Sequence, residues 1–155
     1  MSKRFFKMFF VLGLGIFITL GAESVAQATG AAKKIFHLSE KPANLPYSPA
    51  ILVKDTLYIS GQLATDPETG KFEGGTMTRQ AEMVIRNIEV LLKKAGMELS
   101  DVVSATAFIT DFKEFGEFNR VFRKNFPKNP PTRATVQVAG LALGAKIEVA
   151  AVAVR

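Results

Sequence analysis

The stretch from Thr78 to Ala95, TRQAEMVIRNIEVLLKKA, places apolar residues at Ala81, Val84, Ile85, Ile88, Leu91, Leu92 and Ala95. That spacing is one face of an α-helix, with polar and charged residues on the other. Gly96 follows as a stop, and Lys93 and Lys94 bring positive charge to the negative end of the helix dipole. A helix with one apolar stripe must lay it against another layer, so the runs on either side decide the architecture.

Upstream, Lys33 to Leu38 alternates apolar and polar residues well enough for a first strand. Lys41 to Pro49 carries Pro42, Pro46 and Pro49 and reads as a loop, because each proline removes a ladder donor. Ile51-Leu52-Val53 and Leu57-Tyr58-Ile59 flank Lys54-Asp55-Thr56 as a tight hairpin, and Asp66-Pro67-Glu68-Thr69-Gly70 is a turn sequence. Downstream, the β-branched content of Val102 to Thr110 predicts a buried strand. A second helix is expected from about Phe112 or Lys113 to about Asn125, with Phe115, Phe118, Val121 and Phe122 on its apolar face and Pro127, Pro130 and Pro131 ending it. Ala134 to Val138 and Ile147 to Val154 are the last strands. The order of strand, hairpin, helix, strand, helix, strand, strand predicts an α+β domain in which two helices cover one face of a mixed sheet. The other face needs a cover of its own, and oligomerisation is the simplest one.

Residues 1–28 are set aside as an export segment, leaving 29–155 as the folded domain. Lys3, Arg4 and Lys7 make a basic start, Met8 to Leu20 is an apolar run, and Ala26-Gln27-Ala28 is a small-x-small cleavage site. A retained anchor is the alternative, but the run falls short of the roughly 20 residues of a spanning helix. The expectation is cleavage after Ala28, an exported periplasmic or secreted protein, and no stable membrane anchor. The remaining chain has 17 basic and 13 acidic residues, a net charge of +4 with no run of Lys and Arg, so no nucleic-acid partner is expected. With no cysteine and a single histidine, a disulfide framework, a thiolate nucleophile and the common zinc sites are all out of reach.

Motifs for a nucleophile elbow, a P-loop or a dinucleotide fold are also missing. A lone histidine such as His37, near a strand end, is more often a surface residue than a base. What stands out is a set of polar groups at the ends of apolar strands. Ser60-Gly61-Gln62 ends the hairpin, Arg133 follows a double proline, and Glu148 interrupts the final strand. On period-2 alternation Glu148 shares a face with Ala150 and Val152, small apolar residues that suit a buried or interface face, so its carboxylate must be paired or solvated. An interface salt bridge between Arg133 and Glu148 would account for both without catalysis.

These segments resemble the reactive-intermediate deaminase (Rid, or YjgF) family. The matching pieces are Leu45-Pro46-Tyr47, Leu57 to Gln62, Asp66 to Gly70, Val102 to Asp111, Phe118-Asn119, Pro131 to Ala134 and Lys146 to Val149, in order from about Tyr47 to Arg155. The resemblance implies a chorismate-mutase-like fold, a homotrimer, and three sites in clefts between neighbouring subunits. It implies hydrolysis of 2-imino or 2-enamino acids to 2-keto acids and ammonia, with no metal or organic cofactor. Carried over by residue, Arg133 would bind the substrate carboxylate through its planar fork. Ser60 with the Gly61 backbone, Tyr47 and Asn119 would orient substrate and water, and Glu148 would activate the water. Thr135 stands where many members carry cysteine and would contribute a hydroxyl to the pocket. Leu45 replaces the usual glycine before Pro-Tyr and would reshape the entrance. A non-catalytic module that binds a small carboxylate in the same clefts is the alternative function.

Overall fold

The computed structural model describes residues 31–39 and 44–155, and the export segment predicted over residues 1–28 lies outside them. The elements are β1 (Lys33–Phe36), β2 (Ala50–Val53), β3 (Thr56–Gln62), α1 (Met77–Lys94), β4 (Val102–Ile109), α2 (Phe115–Asn125), β5 (Thr132–Gln137) and β6 (Ile147–Val154). Their order is the expected one. The first strand stops two residues short of Leu38, the hairpin turns on Lys54 and Asp55 alone, and β5 starts at Thr132 and not at Ala134. A 3₁₀ turn at Phe112–Glu114 precedes the second helix, with the Asp111 carboxylate accepting the Lys113 N–H at 2.8 Å.

The α1 termini are closed by local chemistry. The Thr76 hydroxyl accepts the N–H of Arg79 at 3.2 Å, which satisfies one of the unpaired donors of the first turn. At the other end Gly96 takes a φ of +74°, and the N–H groups of Gly96 and Met97 bond the carbonyls of Lys93 and Leu92 at 3.0 and 2.9 Å. This is a Schellman closure, and it buries Met97 as it turns the chain. The second helix contributes as well: Glu117 accepts the N–H and the hydroxyl of Thr78 at 3.3 and 2.8 Å. Those bonds, the hydroxyl's first, hold the Glu117 carboxyl below its ordinary range.

Among the described residues the six strands form one sheet in the order β1-β2-β3-β6-β4-β5. The chain's last strand is therefore central. β4 and β5 run parallel, joined across α2, and the other neighbours are antiparallel. Both helices pack on one face, over Leu57 and Ile59 of β3, Ala105, Ala107 and Ile109 of β4, and Val149 and Ala151 of β6. The buried strand expected over Val102 to Thr110 is β4, and its burial is one-sided. One side of β4 is buried, while Val103 on the other side is 46% exposed. The helices cover a single face, so alternate residues point away from the core. That open face carries Tyr58, Val136 and Val152 in rows that also include Phe108 and Glu148, and Tyr58 and Val136 are exposed.

Candidate active site

A β-bulge creates the polar end of β3. The strand pairs Ile59 with Ala151 and then Gln62 with Val149, so it takes three steps where β6 takes two. Plain alternation from the buried Ile59 would turn Gly61 into the core and Gln62 outward. The extra residue instead leaves Ser60 and Gly61 together on the cleft side and sends Gln62 inward, where it is buried. The Ser60 N–H and hydroxyl both donate to the Pro49 carbonyl, at 3.0 and 3.1 Å. Gln62 Nε2 donates back to the Ser60 carbonyl at 3.0 Å and to its hydroxyl at 3.3 Å. The hydroxyl is thus fixed, with one lone pair left for a ligand.

Glu148 lies beside this bulge on β6. Its carboxylate occupies the space that a side chain at Gly61 would need: a methyl group there would sit 2.7 Å from Glu148 Cδ and 3.0 Å from its Cγ, and nearer still to Oε1. Glycine at 61 is a packing requirement of the carboxylate. Ser60, Gly61 and Glu148 line a cleft of about 620 Å³, together with Tyr47, Leu45, His37 and Leu143. Tyr47 is more than half exposed. Leu143 holds φ 59° and ψ 14°, a left-handed conformation that costs a residue with a side chain about 1–2 kcal/mol.

Two polar residues brace the cleft wall. Asn87 of α1 is fully buried, and its amide donates to the Leu63 and Thr65 carbonyls at 3.1 and 2.7 Å. Its Oδ1 is buried without a hydrogen-bond partner. Asp66 accepts the Thr69 N–H at 2.7 Å, the Thr69 hydroxyl at 3.0 Å and the Glu68 N–H at 3.0 Å. The Thr69 N–H is the main cause holding this carboxyl below its usual range. Asp66 is therefore committed to its turn, and Glu148 is the carboxylate left to serve a ligand.

Arg133 lines a second, smaller cleft with Asn119, Phe122, Phe126 and Pro131. Its Nη2 donates to Asn119 Oδ1 at 2.5 Å. The guanidinium lies 4.5 Å from the Phe122 ring centre and 4.9 Å from that of Phe118. Burial pushes it down from its ordinary pKa, yet a guanidinium starts so high that it stays charged at neutral pH. The Phe faces stabilise that charge and Asn119 fixes one edge of the fork, leaving the rest to grip an anion.

Arg133 and Glu148 do not meet within one chain. Arg133 is in register with Ala105, and Ala105 with Ala151, all on the helix-covered face. Glu148 is three residues from Ala151 and in register with Phe108 and Val136, so it lies on the open face. An intrachain salt bridge is thereby excluded. Thr135, two residues beyond Arg133, lines neither cleft. His37, a lone histidine of the kind more often found as a surface residue than as a base, joins Glu148's cleft, as does Leu143, which nothing in its local sequence marks; the tertiary fold carries both there.

A family model described as Endoribonuclease L-PSP matches residues 37–155. The chain belongs to this family. It is 40% identical over 124 residues to the 2-iminobutanoate/2-iminopropanoate deaminase of Bos taurus, a match covering 79% of this chain and 90% of that one. Among solved structures it is similar to RidA from the Antarctic bacterium Psychrobacter sp., with 39% identity, a TM-score of 0.72, and 78% and 98% of the two chains covered. The crystal structure of E. coli TdcF with bound serine gives 31% identity and a TM-score of 0.71, covering 78% and 97%. The Rid-type motifs between Leu45 and Val149 and these matches agree on family and fold.

Proposed function

We propose that the protein hydrolyses 2-imino and 2-enamino acids to 2-keto acids and ammonia, in sites that two neighbouring subunits of a homotrimer complete together. The observation that carries this is the separation of the two half-sites. One chain offers a charged anion-gripping fork on the edge of its helix-covered face, and an isolated carboxylate beside Ser60 and Gly61 on its open face. Neither cleft alone can both hold a substrate carboxylate and activate water. An apolar sheet face with Tyr58 and Val136 exposed is a surface for a second copy, and a neighbour docked there can bring its Arg133 to this chain's Glu148. The deaminase name of the Bos taurus relative and the amino acid held by TdcF support the same substrate class.

The residues then divide the work. Arg133 grips the carboxylate, with Asn119 holding its orientation. Glu148 takes a proton from water as the water oxygen adds to the protonated imine carbon, and the C=N electron pair moves to nitrogen. The resulting carbinolamine receives that proton on its nitrogen, the C–N bond breaks, and ammonia leaves. The hydroxyl proton passes to Glu148 as the keto group forms, and then to ammonia. An enamine enters the same path after protonation at its β-carbon. The protonated imine is already electrophilic, so this route asks only for positioning and proton transfer.

The chemistry is assigned to an exported protein, on the basic start, apolar run and Ala26-Gln27-Ala28 site of the amino terminus. The test of function is the mature protein mixed with imines generated in situ by an amino-acid oxidase, following keto acid and ammonia. Acceleration over buffer supports the reading, and its absence in a correctly assembled protein defeats it. Intact mass of the exported protein tests the processing: a chain still starting at Met1 contradicts cleavage after Ala28.

A further inference from the structure

The rim of the Glu148 cleft is apolar where its floor is polar. Leu45 and Leu143 stand on opposite sides of the sequence, one in the loop before β2 and the other in the turn before β6, yet both line this one cleft. Leu45 is 40% exposed and Leu143 is 64% exposed. Leu38 and Leu63 line the same cavity. Leucines exposed to this degree gain little from burial within the chain. Leu143 is also held at a positive φ, where glycine or asparagine would sit without strain. A left-handed backbone position that carries an exposed apolar side chain at the mouth of a cleft is a feature that ligand-contacting positions share.

We infer that this rim selects 2-imino acids with large apolar side chains, of the branched aliphatic or aromatic kind, over the small ones derived from alanine. The inference rests on the imine-hydrolase reading and adds the substrate class. Leu45 and Leu143 line the cleft that holds Glu148, so a substrate whose imine carbon lies at Glu148 has these leucines in the same cavity for its remaining substituent. An alanine-derived imine leaves both leucines wet, whereas a leucine- or phenylalanine-derived one covers them. Discrimination of this type grows with each methylene removed from water in the transition state.

The experiment compares kcat/KM of the mature trimer on imines made in situ from alanine, leucine and phenylalanine, with residual imine trapped by semicarbazide. The leucine- and phenylalanine-derived imines are expected to be at least about tenfold better substrates than the alanine-derived one. A Leu45→Gly/Leu143→Asn protein is expected to bring the ratio within about threefold, because both substitutions remove apolar rim while suiting their backbone positions. A single Leu143→Gly variant, which relieves the strained φ, provides a second measurement should the double variant assemble poorly, and its ratio is expected to fall in the same direction. Equal or better turnover of the alanine-derived imine by the unaltered protein overturns the specificity and leaves the deaminase reading standing. So does an undiminished ratio in the variants. Failure on all three imines removes the deaminase reading, and the specificity with it.

Discussion

Replacing Gly61 by alanine adds one methyl group where the structure has no room for it. The new Cβ would lie 2.7 Å from Glu148 Cδ, against the 3.4–4 Å of ordinary contact, so the carboxylate has to retreat by roughly 1 Å. Gly61 has no positive φ, and the substitution therefore strains no backbone. The fold and the assembly should survive while the carboxylate proposed to activate water is displaced. A misplacement of about 1 Å costs up to about a hundredfold in turnover, or ~2.7 kcal/mol of transition-state stabilisation. The assay is kcat on in situ imine, with light scattering and thermal unfolding run on the same preparations. A double-mutant cycle supplies the control. In a Glu148→Gln background the carboxylate's proton transfer is already lost, so Gly61→Ala should add less than about threefold, a coupling that independent residues would not show. A trimeric Gly61→Ala protein with undiminished turnover would refute the claim that the carboxylate above Gly61 carries the reaction.

Arg133→Ala should lose at least about tenfold in kcat/KM through the missing charge-assisted anchor, and Glu148→Gln should lose turnover while both remain assembled. Unfolding and refolding the two inactive proteins together at equal amounts should restore about one site in four, because a shared site can take its arginine from one protomer and its glutamate from the next. No recovery from correctly mixed trimers would mean that each site is built within a single chain. Val136→Asp, on the open sheet face at 45% exposure, should shift light scattering from about three times the mature mass toward the monomer, and an intact trimer would show that this face is not the interface. Glu117 is held below its ordinary carboxyl value near 4.5 by the Thr78 hydroxyl, so its contribution to stability is complete above that pH and is lost as pH falls toward its folded value. Glu117→Gln should therefore flatten the fall in stability below about pH 4.5, measured by denaturant titration, and an unchanged acid limb would remove Glu117 from the cap of α1.

Much of the fold was legible because its determinants are local. The apolar stripe of α1, the Gly96 stop, the Phe118-Val121-Phe122 face of α2 and the prolines after it are each decided within a few residues, by helical period and by backbone chemistry. The alternation of Ile147 to Val154 likewise put Glu148 on the same face as Ala150 and Val152, where the structure has it. Polar groups at the ends of apolar strands brought Ser60, Gly61 and Arg133 into view from the residues, the resemblance added Tyr47, Asn119 and the expected roles, and the fold divides these residues between two clefts.

Tertiary structure decided the rest, because the deciding contacts join residues far apart in the chain. Alternation along β3 alone would have put Ser60 and Gly61 on opposite faces. Pairing with β6, some ninety residues later, introduces the bulge that leaves both at the cleft and seats the Glu148 carboxylate above Gly61. The same central position of β6 fixes the parity that puts Arg133 and Glu148 on opposite faces of the sheet. His37, Leu45 and Leu143 reach one cleft from three separate segments, by virtue of how those segments cross the sheet's end. Sequence alone determined which residues would form helices and strands and which polar groups called for an explanation. Strand register, which depends on hydrogen bonding between distant segments, determined which of those groups face one another.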